Sequence, residues 1–135
     1  MQLSADRKCF VCGPDNESGL NIRFTIDPVK NRAEATTSLA ESFQGWQGVV
    51  HGGIISALLD EAAIYACRPQ SLHAVTMKML VRFRKPVQVD QEVKVSAEVV
   101  SVRRNLAEVK SVLTAGGDLL AEAEIKVMLL GDEEK

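Results

Sequence analysis

The sequence predicts an α+β fold in which a curved antiparallel sheet of five to six strands wraps one long buried helix. Three features predict it: a run at 52–67 that follows the 3.6-residue period yet is apolar nearly all round, four segments after it that alternate with period two, and two shorter alternating segments before it. A surface helix would carry a charged face, so this one has to be covered on most sides by other structure.

Residues 9–19 are loop by composition, since GPDNESG is turn chemistry. Residues 20–27 (LNIRFTID) place Leu20, Ile22, Phe24 and Ile26 on one face of a half-buried strand, and a turn over 28–31 leads to a second strand at 33–39. The glycine-punctuated SFQGWQGVVHGG that follows is irregular. Over 52–67 the residues Ile54, Ile55, Leu58, Leu59 and Ala62 recur at helical spacing, with Ala57, Ala63, Ile64 and Ala66 filling most of the remaining positions. After Pro69 the period returns to two, which puts Val75, Met77, Met79, Val81 and Phe83 on one face. Residues 91–102 turn Val93, Val95, Ala97 and Val99 inward, and 106–115 do the same with Ala107, Val109, Ser111 and Leu113. Gly116-Gly117 signals a hairpin, and Leu119, Ala121, Ala123, Ile125, Val127 and Leu129 close the sheet. The expected organisation is one domain over 1–135, with 1–19 as an N-terminal loop and 131–135 as a solvated tail.

The 135 residues are enough for about two thirds of the unfolded surface to be buried in a single core. At 46% hydrophobic and 25% charged, the composition is that of a globular protein. Sixteen basic against eighteen acidic residues and only six aromatics argue against nucleic-acid binding, which needs a basic surface and stacking platforms. No apolar run reaches the roughly 20 residues of a membrane span, and MQLSADRKCF lacks the apolar core of a signal peptide, so a cytoplasmic location is expected. Cys9 and Cys12 form a lone C-x-x-C. Zinc would need two more ligands, and Cys67, His51 and His73 lack finger-like spacing, so no metal site is expected. The turn residues after the pair also disfavour a thioredoxin-like redox site, leaving a packed loop in a reducing compartment.

The sharpest local feature is HGGIISALLDE at 51–61. Gly52 and Gly53 leave backbone N–H groups at a helix start with no side chain in the way, an oxyanion-type site in outline. Asp60 lies further along an otherwise apolar helix, where desolvation would raise its pKa toward that of a useful general base. Glu61 is read as the solvent-facing or salt-bridged acid, although periodicity alone leaves either one able to point inward. His51 reads as a loop or capping residue. The basic residues Lys78, Arg82, Arg84, Lys85, Arg103 and Arg104 form either a solvated sheet face or a docking surface for the phosphates of a nucleotide carrier. There is no G-x-S-x-G elbow, and neither the dinucleotide nor the nucleoside-triphosphate glycine motif occurs.

CFVCGPDNESGL at 9–20, FQGWQGVVHGGIISALLDE at 43–61 and VTMKMLVRFRKPV at 75–87 together resemble the hotdog-fold thioesterases, in particular the phenylacetate-pathway, PaaI-like acyl-CoA branch. The resemblance implies a hotdog fold, homodimers made by joining sheets, pairing of dimers into tetramers, and active sites at the dimer interface. It implies hydrolysis of acyl-CoA to free acid and coenzyme A, with coenzyme A entering as part of the substrate and no separate cofactor. By position, Asp60 matches the family's catalytic carboxylate and Gly52 the residue whose N–H polarises the thioester carbonyl, with Gly53 supporting the turn. Thr76 matches a hydroxyl contributed by the opposite subunit, and His51 an orienting residue. Gly45 stands where many members carry Gln or Asn, and Gln44 and Gln47 flank it as possible substitutes. Arg82 and Arg84 are the expected phosphate contacts. The rivals are a non-catalytic acyl-CoA binding module and a hotdog hydratase or dehydratase; the latter would need a histidine where Ser42 stands and an acid nearer Ala57 or Leu58.

Overall fold

In the computed structural model, which describes residues 3–132, the apolar run forms a single helix, α1 (Gly52–Cys67), matching the predicted bounds. Two strands precede it, β1 (Thr25–Asp27) and β2 (Arg32–Ser38), and four follow it: β3 (His73–Phe83), β4 (Glu92–Arg103), β5 (Leu106–Ala115) and β6 (Asp118–Gly131). All pair antiparallel in one six-stranded sheet of order β1-β2-β4-β5-β6-β3, so β1 and β3 are its edges. Leu58, Leu59, Ala62, Ala63, Ala66 and Cys67 of α1 are fully buried against Val93, Val95, Leu113, Ile125 and Val127 of the sheet. This is the hotdog arrangement, with the helix as filling. Ser111, the one polar residue on the inner face of β5, is fully buried and donates to the Leu59 carbonyl at 2.9 Å. The bond offsets the cost of burying the hydroxyl and ties α1 to β5.

Period two describes β5 throughout and β4 as far as Val99: Val93, Val95 and Ala97, then Ala107, Val109, Ser111 and Leu113, are buried, but past Val99 the register with β5 jumps from Val99↔Val109 to Ser101↔Glu108 and leaves Val100 66% exposed. It fails where a strand carries an extra residue. On β3 the register jumps from Thr76↔Val127 to Lys78↔Lys126, so Met77 is a β-bulge and stands 56% exposed instead of facing inward with Met79. A bulge shifts the phase of alternation by one residue, so Thr76, expected outward, shares the inner face with Met79 and Val81. On β6 a jump between Leu113↔Ala121 and Thr114↔Leu119 makes Leu120 the buried residue and turns Leu119 outward.

The first predicted strand is shortened for a different reason. Over 20–24 the alternation holds, with Ile22 buried, but Asn21 has φ +50° and the Leu20 and Ile22 N–H groups donate to Phe10 and Val11 carbonyls at 2.8 Å each. The segment therefore pairs with the N-terminal loop, and only Thr25–Asp27 joins β2. Gly116 and Gly117 both have positive φ, +55° and +89°, as a two-residue hairpin between β5 and β6 requires. The expected tail begins late: Gly131 ends β6 with its N–H on Ser71 Oγ at 2.8 Å, and Asp132 Oδ1 accepts from the Leu72 N–H at 2.6 Å. Residues 133–135 lie outside the described residues.

Candidate active site

The loop before α1 is built by backbone bonds that aim the helix start at the surface. The Val50 N–H donates to the Val87 carbonyl and the His51 N–H to the Phe43 carbonyl, each at 2.9 Å. His51 has extended φ/ψ and caps the helix: its Nδ1 accepts from the Gly53 N–H at 2.8 Å. Accepting there requires the lone pair on Nδ1, so the neutral ring carries its proton on Nε2. Of the two glycine donors at the helix start, Gly53 is spent on this cap. The Gly52 N–H, exposed, has no protein acceptor among the described residues. It opens beside a cavity of about 470 Å³ lined by Trp46, Val49, Gly52, Phe83, Lys85 and Pro86 among others.

Asp60 is half-buried on α1, and the Thr76 hydroxyl of β3 donates to its Oδ1. Burial pushes the Asp60 carboxyl above its ordinary value; the Thr76 hydrogen bond pulls it back, and the neighbouring Glu61 charge adds to the rise. Thr76 is inward only because Met77 bulges. A carboxylate with a raised pKa, oriented by a hydroxyl, is equipped to take a proton from water or to attack an electrophile.

These two halves do not meet within one chain. Asp60 lies eight residues beyond Gly52, about 12 Å along the axis at 1.5 Å per residue. One carbonyl cannot lie within about 3 Å of both groups, and Asp60 is absent from the lining of the Gly52 cavity.

The remaining expected residues sort as follows. Thr76 was expected to meet Asp60 from the opposite subunit; it bonds Asp60 of its own chain, because the bulge turns it toward α1. The Gln44 Oε1 accepts from the Gly48 N–H at 3.0 Å, which ties its side chain to the loop. Gly45 is where the His51 side chain packs: a Cβ there would lie 3.3 Å from His51 Cα and Cδ2, so a larger residue would press on the cap. Gln47 is exposed on the same loop. Arg84 pairs with Glu122 at 3.0 Å, and Arg82 is exposed on β3 opposite Glu122 in the register. Glu61 is half-buried and accepts from Cys9 Sγ at 2.9 Å, rather than facing solvent or a cation. Periodicity missed Trp46, Phe83 and Lys85 as cavity residues. The signal was present in Trp46, an aromatic set between Gly45 and Gly48 in a segment with no regular periodicity.

A family model described as thioesterase superfamily matches residues 47–122, more than half of the chain. Among curated proteins no sequence match is found. Several solved structures share the fold. A variant of the phenylacetic acid degradation protein PaaI from Thermus thermophilus is 22% identical, covering 81% of this chain and 93% of its own, at a TM-score of 0.74. A Streptococcus mutans protein bound to acetyl-CoA is 19% identical over 84% of this chain and 92% of its own, at 0.77. A phenylacetic acid degradation-related protein from Ralstonia eutropha is 24% identical, with coverages of 80% and 83%, at 0.71.

Proposed function

The chain belongs to the thioesterase superfamily, and from that premise we propose that it hydrolyses acyl-CoA thioesters to the free acid and coenzyme A, with Asp60 as the reacting carboxylate. The observation that carries the proposal is the half-buried Asp60 held by Thr76. A thioester needs little more than this. Its carbonyl has weak resonance and its thiolate leaves without full protonation, so one carboxylate and one oxyanion donor suffice. Asp60 either removes a proton from the attacking water or attacks the carbonyl itself to give a mixed anhydride that water then cleaves. The Gly52 N–H, at the positive end of α1, stabilises the developing oxyanion.

Because the two groups lie too far apart in one chain, each site takes its Gly52 from one protomer and its Asp60 and Thr76 from another. The edge strand β3 is the natural joint. It runs for 11 residues, and Met77, Leu80 and Phe83 on it are 56%, 48% and 56% exposed. A long apolar sheet edge invites pairing with a second copy. The surface also favours assembly: the chain exposes 8263 Å², against roughly 6,900 Å² for a compact monomer of this mass.

In this reading coenzyme A occupies the cavity beside Gly52, with the pantetheine arm along Trp46 and Phe83 and the phosphates at Arg84 and Lys85, all of which line it. The ion pairs of those residues with Glu122 and Asp118 are exposed, worth about 1 kcal/mol or less each, and yield readily to a phosphate. The bound acetyl-CoA of the streptococcal structure supports this ligand class. Assay of thiol released from a panel of acyl-CoAs tests the proposal, and turnover of at least one of them is the expected result. A non-catalytic acyl-CoA binder is the second reading, favoured by Gly45, which leaves no side-chain amide at that position. Binding by calorimetry with no thiol released from any member of the panel would establish it instead.

A further inference from the structure

We propose that Cys9, Cys12 and Glu61 form a metal site for Zn2+, joining the N-terminal loop to α1. The two thiol sulfurs and a Glu61 carboxylate oxygen all lie within 4.8 Å of one another, and Cys9 Sγ already stands 2.9 Å from Glu61 Oε2. In a tetrahedral site with Zn–S near 2.3 Å and Zn–O near 2.1 Å, ligand atoms sit roughly 3.5–3.8 Å apart. The three atoms therefore reach coordinating positions by shifts of about an ångström, within the range of side-chain rotation.

The backbone around the pair is shaped to hold them together. The Gly13 N–H donates to the Cys9 carbonyl at 2.8 Å, and the Asp15 N–H to the Arg7 carbonyl at 3.0 Å. A Cβ on Gly13 would fall 2.3 Å from Cys9 N and 2.6 Å from Cys9 O, so only glycine lets the chain close over itself here. Between the cysteines, the Phe10 and Val11 carbonyls are tied to Leu20 and Ile22 by the bonds described above. The third ligand comes from a helix in the middle of the fold. Neither Cys67, fully buried at the far end of α1, nor the capping His51 is available to complete the set, which is why sequence spacing concealed it. Cys9 is exposed, so an ion reaches the site from solvent and keeps water as its fourth ligand. Two thiolates and one carboxylate select a thiophilic dication over Mg2+ or Ca2+.

The charge balance is simple. Zn2+ displaces the two thiol protons to solvent; two thiolates, one carboxylate and one dication carry the same net charge of −1 as two thiols and one carboxylate. No electron is transferred. The ion would pin the loop that bonds to residues 20–22 onto the helix that carries Asp60. This site stands independently of thioester hydrolysis, and its test does not use activity.

Co2+ is added to reduced, metal-free full-length protein. We expect one equivalent to bind with near-ultraviolet thiolate-to-cobalt absorption and the visible bands of a tetrahedral ion, Zn2+ to displace it, and about two protons to be released per ion in weak buffer. Cys9→Ser and Cys12→Ser should each lose most of the thiolate absorption while keeping the native circular dichroism, and Cys67→Ser should change neither. Glu61→Gln should keep the thiolate bands and bind at least about tenfold more weakly, the least that loss of even an outer partner costs. Absence of thiolate absorption in the reduced protein, or bands that survive in both Cys9→Ser and Cys12→Ser, would overturn the proposal. So would a reduced pair that re-forms a Cys9–Cys12 disulfide in the presence of excess Zn2+ without binding it.

Discussion

In the proposed reaction Asp60 is the residue on which the chemistry turns, and its surroundings set what substitution does. Asp60→Asn keeps the shape and the Thr76 contact but removes the base, so kcat/KM should fall by at least about 100-fold, the lower end of what a positioned general base contributes. Glu61→Gln should cost far less; steady-state kinetics with the best acyl-CoA compares them, and the opposite ranking would make Glu61 the reacting acid. The pH profile follows from the direction of the shift. Asp60 acts deprotonated and burial raises its pKa, so kcat/KM should fall on the acid side with a midpoint above the ordinary carboxylate value. The Thr76 hydroxyl favours the charged form, so Thr76→Ala should move that midpoint to higher pH as well as lower turnover about tenfold. A midpoint unmoved or shifted to lower pH would show that the hydroxyl does not act on this carboxylate. A carboxylate within an apolar helix was legible in the sequence as a costly, and so purposeful, choice. Which of the two adjacent acids meets β3 was not, because both are half-buried and only tertiary contacts separate them: Thr76 for Asp60, Cys9 for Glu61.

Elements whose periodicity is uninterrupted were legible to within a residue or two. α1 and β5 are such elements, as is β4 up to its bulge at Val100, since each buries one continuous apolar set. Alternation hides a bulge, because hydrophobic Met77 suits either face by composition and only the pairing with β6 reveals the phase change. That one residue decides where Thr76 points, so the placement of a site residue was lost together with the register. β1 was over-extended because alternation reports burial and not the partner, and over 20–24 the partner is a loop. The start of α1 carries its own prediction. Losing the His51 cap should cost about 1 kcal/mol, which is a fall of roughly 3–5 °C in Tm for a chain of this size. His51→Ala should show that fall in thermal circular dichroism. Gly53→Ala should destabilise by the same route, since its Cβ would lie 3.1 Å from His51 Nδ1. An unchanged Tm in both variants would remove His51 from the role of cap.

Across the assembled protein, the proposed reaction makes assembly a condition of activity, because its two half-sites lie apart in one chain. Light scattering should give at least 29.4 kDa, twice the 14.7 kDa of one chain. The resemblance to hotdog thioesterases already implied an interface site, but the division of residues now proposed, Gly52 from one protomer and Asp60 with Thr76 from another, was not legible, because it rests on the roughly 12 Å that α1 puts between Gly52 and Asp60. Gly52→Pro offers a clean removal of the oxyanion donor. Proline is favoured at the first position of a helix, His51 before it is extended, and a Cβ at 52 meets only the Phe83 ring at 3.5 Å. The most direct measurement mixes Gly52→Pro and Asp60→Asn proteins, each nearly inactive alone, after dissociation and reassociation with subunit exchange confirmed by mass. If each site takes Gly52 from one protomer and Asp60 from the other, every hybrid dimer has one intact site. Random pairing makes about half the dimers hybrid, so roughly a quarter of all sites should regain full activity. A mixture no more active than the average of its two parents would place both groups in one chain and contradict the account.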